Sequence, residues 1–69
     1  MYLIVLYGAP DDTAACAFSL PDDLNLTEDD ARQLVKLWDY TADISMIFDT
    51  PPRGVVVPCL LERLRTLAR

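Results

Sequence analysis

Apolar positions along this chain fall into blocks whose spacing changes from one block to the next. From Tyr2 to Tyr7 the run Tyr-Leu-Ile-Val-Leu-Tyr is unbroken, and Gly8-Ala9-Pro10 closes it. Its β-branched and aromatic content predicts a β-strand. With a period of two, Tyr2, Ile4 and Leu6 share one face and Leu3, Val5 and Tyr7 the other. A strand apolar on both faces is normally central in a sheet or covered on two sides. In so short a chain the second cover would come from another subunit. The alternative is a hairpin strand with helices on one face and the tyrosine hydroxyls reaching water.

Pro10-Asp11-Asp12 reads as a turn, with proline presetting φ and aspartate bonding the local backbone. Residues 14–20 then alternate, with Ala14, Cys16, Phe18 and Leu20 on one side and smaller residues on the other. This is a second strand, antiparallel to the first, and Pro21-Asp22-Asp23 ends it. Thr27 follows as a helix N-cap, with Asp30 placed to complete a short version of the capping box. Leu26 and Ala31 occupy the hydrophobic-staple positions, and Glu28, Asp29 and Asp30 suit the positive end of the helix dipole.

Ala31, Leu34, Val35, Trp38 and Ala42 recur at spacings of three and four, the signature of a buried helical stripe. Leu37, Tyr40, Ile44 and Ile47 make a second stripe. No glycine interrupts the pattern, so the helix is expected to run over 27–47. The alternative ends it near Ala42 and makes Ile44 to Phe48 a short strand. Thr50-Pro51-Pro52-Arg53-Gly54 is a loop, and Val55 to Val57 is extended because the residue before a proline leaves the α region. Pro58 opens a second helix expected over 58–68, with Leu60, Leu61, Leu64, Leu67 and Ala68 as its stripe. The order β-β-α-α predicts a single small α+β domain over 1–69: a hairpin (2–7 and 14–20) packed with two helices.

Size turns this pattern into a constraint. The chain has 69 residues, 52% of them apolar, and a domain of this length buries only about 60–65% of the surface its unfolded chain exposes. Some apolar surface must stay outside, and a contiguous patch would mark an interaction site. Association that covers it would add stability, so a homodimer is expected. Charge is uneven: ten acids face two bases before Thr50, and one acid faces four arginines from Thr50 onward, for a net charge of −5. An acidic total disfavours binding to a phosphate backbone. No basic residue precedes the opening apolar run, and no stretch approaches the roughly 20 apolar residues that span a bilayer. A cytoplasmic protein with no membrane association is expected.

Candidate chemistry is sparse. With no histidine the chain lacks Ser-His-Asp, Cys-His and imidazole–zinc sites. Asp12 and Asp22 stand ten residues apart along a strand rising about 3.3 Å per residue, so the two Pro-Asp-Asp turns do not share an ion. Cys16 and Cys59 read as free, inert thiols, although a bridge between them fits the fold. Two glycines form no phosphate loop. Arg53, Arg63, Arg65 and Arg69 read as helix-end and solvent charges. No cofactor, metal or enzymatic activity is expected.

Trp38, Tyr40, Ile44, Met46, Ile47 and Phe48 form the densest apolar-aromatic stretch. Aromatics and methionine are enriched at protein interfaces. These six, with Glu28 and Asp29 to steer a basic target, are the expected partner-binding residues. The sequence thus predicts a small acidic protein-interaction module that binds or inhibits another protein. Two alternatives stand beside it: a self-assembling structural subunit, and an acidic DNA mimic acting on a nucleic-acid-binding protein.

Overall fold

The apolar run at the start of the chain forms the middle strand of the sheet. In the computed structural model, which describes residues 1–8 and 10–68, β1 (Tyr2–Tyr7) pairs antiparallel with β2 (Ala14–Ser19). Between them Gly8 has φ +88°, and a side chain there would collide with the Asp12 carbonyl oxygen. After β2 a single 3-10 turn (Asp22–Leu24) leads to α1 (Glu28–Trp38). Thr27 Oγ1 accepts from the Asp30 amide at 3.2 Å, and Asp30 Oδ2 accepts from the Thr27 amide at 3.0 Å, completing the expected capping box.

The helix expected over 27–47 is shorter, with a turn over 39–42 and a strand from Asp43 in place of its end. α1 ends at Trp38, and β3 (Asp43–Phe48) pairs antiparallel with the other edge of β1. Asp39 is the reason. Its Oδ1 accepts from the Thr41 amide at 2.9 Å and from the Thr41 hydroxyl at 2.7 Å, closing a local turn that competes with helical hydrogen bonding. The Gly8 amide donates to Thr41 Oγ1 at 2.8 Å, fastening this turn to the hairpin. Lys36 Nζ donates to the Ala42 carbonyl at 3.2 Å. Strand order is therefore β2-β1-β3.

The second helix also starts later than expected. α2 spans Leu60–Leu67, because Pro58 and Cys59 stay extended and meet the end of β2. There the Ser19 amide donates to the Pro58 carbonyl at 3.0 Å.

Both helices pack on one face of the sheet. Leu3 and Val5 of β1 and Phe18 of β2 meet Ala31 and Val35 of α1 and Leu60 of α2, all buried. Trp38 adds an edge-on contact to Tyr7 and another to Phe18, each with ring centroids 4.9 Å apart. Leu60 is wholly buried at the helix–sheet junction, so Leu60→Ala is expected to cost about 2–4 kcal/mol through the cavity it leaves. Thr27→Ala should cost about 1 kcal/mol through the lost cap. Urea unfolding midpoints at unchanged slope read both values, and a smaller loss for Leu60→Ala than for Thr27→Ala would contradict this packing.

Candidate interaction surfaces

Residues directly opposite one another on paired strands point to the same side of a sheet. Opposite Tyr2 stand Ser19 and Phe48; opposite Ile4 stand Ala17 and Met46; opposite Leu6 stand Ala15 and Asp43. These three rows form the face turned away from the helices. None of their apolar members belongs to the core or packs against it. Met46 is 52% exposed and Leu6 40%. Charge enters this face only at its end, with Asp43. With strands about 4.8 Å apart and a rise of about 3.4 Å per residue, the face measures roughly 15 by 20 Å.

Its relief is stepped. Alanines and a serine line the β2 flank, whereas Met46 and Phe48 stand on the β3 flank. Two copies related by a two-fold axis parallel to the strands would lay the bulky flank of each over the small flank of the other.

A second apolar surface lies on the helix layer. Leu37 of α1, 73% exposed, faces Leu64 and Leu67 of α2 across a shallow groove. It continues along α1 past Leu34 and Asp30 to Leu26. Asp30 holds its carboxyl below the usual range because it accepts the Thr27 backbone and hydroxyl hydrogen bonds.

The eight residues singled out from sequence do not gather on one surface. Trp38 is half-buried between Tyr7 and Phe18. Ile44 packs against the core. Ile47 lies opposite Leu3, on the helix side of the sheet but at its margin. Met46 and Phe48 belong to the open face. Tyr40, 87% exposed, projects from the α1–β3 turn. Glu28 and Asp29 stand at the opposite end of α1, about 15 Å along the axis from Trp38. Glu28 accepts from Arg32 at 2.9 Å, the four-apart pair of an ordinary helix surface.

Sequence reasoning put Tyr2, Ile4 and Leu6 on one apolar face of a strand that another subunit could cover, but did not count them among the partner-binding residues. It placed Leu37 in a helical stripe and Leu64 and Leu67 in a core stripe, where the structure leaves a groove between them.

The acids and thiols are spread out. Asp11 and Asp12 lie at the hairpin turn, and Asp22 and Asp23 at the opposite end of β1. Among the described residues no group of three or more cysteine or carboxylate side chains could hold a metal ion. Cys16 and Cys59 are unbonded thiols. Burial pushes the Cys16 thiol up, and the nearby Asp39 charge adds to this, so it stays protonated. No helix of the described residues is long and apolar enough to cross a membrane.

Comparison with protein-family models, with curated proteins and with solved structures finds no match for this chain.

The hydrogen bonds to Asp39 set a pH dependence. Donation by the Thr41 hydroxyl and amide lowers the Asp39 carboxyl below its ordinary value. A carboxyl depressed on folding contributes stability above its unfolded pKa and loses it as pH falls through the folded one. Stability should therefore drop from about pH 5 downward, and Asp39→Asn should flatten that drop while lowering stability at neutral pH. Thermal melts of the two proteins across this range test it; parallel profiles would contradict the assignment.

Proposed function

We propose that this chain is a small, non-enzymatic protein-interaction module that works as a homodimer in the cytoplasm and binds a further protein. The observation that carries the reading is the open apolar face of the sheet. A contiguous apolar patch of a few hundred Å² is the size that marks contact sites on small proteins. The occupant argued for is a second copy, because the small β2 flank and the bulky β3 flank are complementary under a two-fold axis that runs parallel to the strands. The face falls below the roughly 800 Å² per partner of a standard interface, so the dimer is concentration-dependent. Two unbonded thiols suit a reducing compartment.

In this reading the helix layer remains available for the partner. The groove between Leu37, Leu64 and Leu67 accepts the apolar stripe of an amphipathic helix. Glu28 and Asp29 at the start of α1 give that layer an acidic end, which speeds encounter with a basic target. Trp38 acts from within by holding α1 against Tyr7 and Phe18, and Tyr40 lies outside both surfaces.

A self-assembling subunit is the second reading, and a specific observation favours it. The two apolar surfaces lie on different layers of the domain, and pairing one with the other would make a head-to-tail contact that need not close.

Sedimentation equilibrium separates these readings. The native chain should form a dimer and nothing larger, with a dissociation constant in the micromolar range. Met46→Lys and Leu6→Lys should each shift it to monomer with an unchanged far-UV spectrum. Leu37→Lys should leave the dimer intact and reduce capture of the partner. A monomer at about 1 mM, or a dimer insensitive to Met46→Lys, sinks the dimer reading; growth into open-ended chains that Leu37→Lys abolishes supports the second.

A further inference from the structure

Between the outer edge of β2 and the extended segment before α2 lies a cleft of about 340 Å³. Trp38, Tyr7 and Phe18 line it, with Trp38 in edge-on contact with both of the other rings. Cys16 and Ala17 make one wall, and Val56 and Pro58 make the other. Arg63 of α2 completes the lining. The ion pairs among the described residues are Met1 with Asp22 and Glu28 with Arg32, so Arg63 has no carboxylate partner there.

The backbone at this edge is open as well. Ser19 donates outward to Pro58 whereas Leu20 donates inward to Met1, at 3.0 and 2.8 Å. Alternation along an antiparallel strand then turns the Ala17 amide and carbonyl outward, away from β1. Chain 55–57 runs beside this edge without pairing to it; the bridge between the two segments is confined to Ser19 and Cys59.

We propose that this cleft binds an apolar carboxylate, a ligand with one carboxylate group on an aromatic or branched aliphatic body. Its volume lies at the lower end of the range for small-molecule sites. Arginine presents a planar fork that matches a carboxylate with two parallel hydrogen bonds. One guanidinium on a chain of net charge −5 suits a monoanion better than a phosphate dianion.

Polarity along the cleft fixes the orientation. Among the described residues Arg63 is the one charged side chain that lines the cleft, and the rings of Trp38, Tyr7 and Phe18 make the rest of its lining predominantly apolar. The carboxylate therefore sits at Arg63 and the apolar body lies over Trp38. A free organic acid and the C-terminal residue of a partner peptide share this chemistry. The cleft meets the open sheet face only at Ala17 and takes its ligand-binding groups, Arg63 and Trp38, from the helix side.

Trp38 is the one tryptophan in the chain, so its fluorescence reports on the cleft. The full chain is titrated with 3-phenylpropanoate, with 3-phenylpropanamide, and with the tripeptide acetyl-Ala-Ala-Phe carrying either a free or an amidated C-terminus. Saturable change below about 5 mM is expected for the free carboxylates. The two amides should bind at least about tenfold more weakly, as should the free acids to Arg63→Gln, while Arg63→Lys retains part of the affinity. Arg63 is exposed, so far-UV spectra of both variants should match the native chain. Tighter binding of the tripeptide names a peptide end as the source, and tighter binding of 3-phenylpropanoate names a free acid; either supports the site. No saturable response to any probe, amides that bind as well as acids, or an indifferent Arg63→Gln would each overturn it.

Discussion

Every feature of this fold follows from placing a strand that is apolar on both faces at the centre of the sheet. β1 must be paired along both edges, and β2 and β3 do this. It must also be covered on both sides, and here the chain runs short. Two helices suffice to seal Leu3 and Val5 beneath Val35 and Leu60. Among the described residues no comparable layer covers Tyr2, Ile4 and Leu6. The exposed apolar surface is thus a consequence of topology and length together. It is confined to one plane because side chains on a strand alternate sides.

Much of this was legible in the chain. The hairpin, the α+β class and the Thr27 cap rest on short-range chemistry: strand periodicity, turn residues and a hydroxyl three positions before a carboxylate. The second half of the long helix was not legible, and the reason lies in β3. Val5 stands opposite Ile44 and Ile4 opposite Met46, so Ser45 is an extra residue, a β-bulge. The bulge breaks the alternation and puts Ile44 and Ile47 on the same side of the sheet at a spacing of three. That spacing imitates a helical stripe. The helix stop carried no glycine because the Asp39 side chain supplied the turn instead. A tertiary hydrogen bond from Gly8 then held that turn in place, and no local pattern records it.

The same bulge explains why the expected binding residues scattered. Read as a helix, residues 38–48 carry Trp38 on one apolar stripe and Tyr40, Ile44 and Ile47 on a second, within a single element. Folded as turn and strand they divide: Trp38 and Ile44 go to the core, Met46 and Phe48 to the open face, and Tyr40 to the turn. The expectation of exposed apolar surface in this stretch was a statement about quantity, and length and composition support such a statement. Its location depended on register, which is a tertiary property.

How the sheet ends also bears on how such a protein associates. A sheet edge with free amides and carbonyls invites pairing with any extended chain, and proteins blunt it with bulges, charges and crossing segments. β3 carries its bulge at Ser45, an aspartate at its start, Asp43, and another just past its end, Asp49. β2 is met at its end by Pro58 and Cys59. These groups oppose edge-to-edge growth at β3 and at the end of β2, while the apolar face carries no comparable device over its central rows. Contact through side chains on that face is selective in a way that backbone pairing is not, because it depends on shape and size at each row. The apolar surplus of this chain is thus presented as side chains in ordered rows rather than as open backbone.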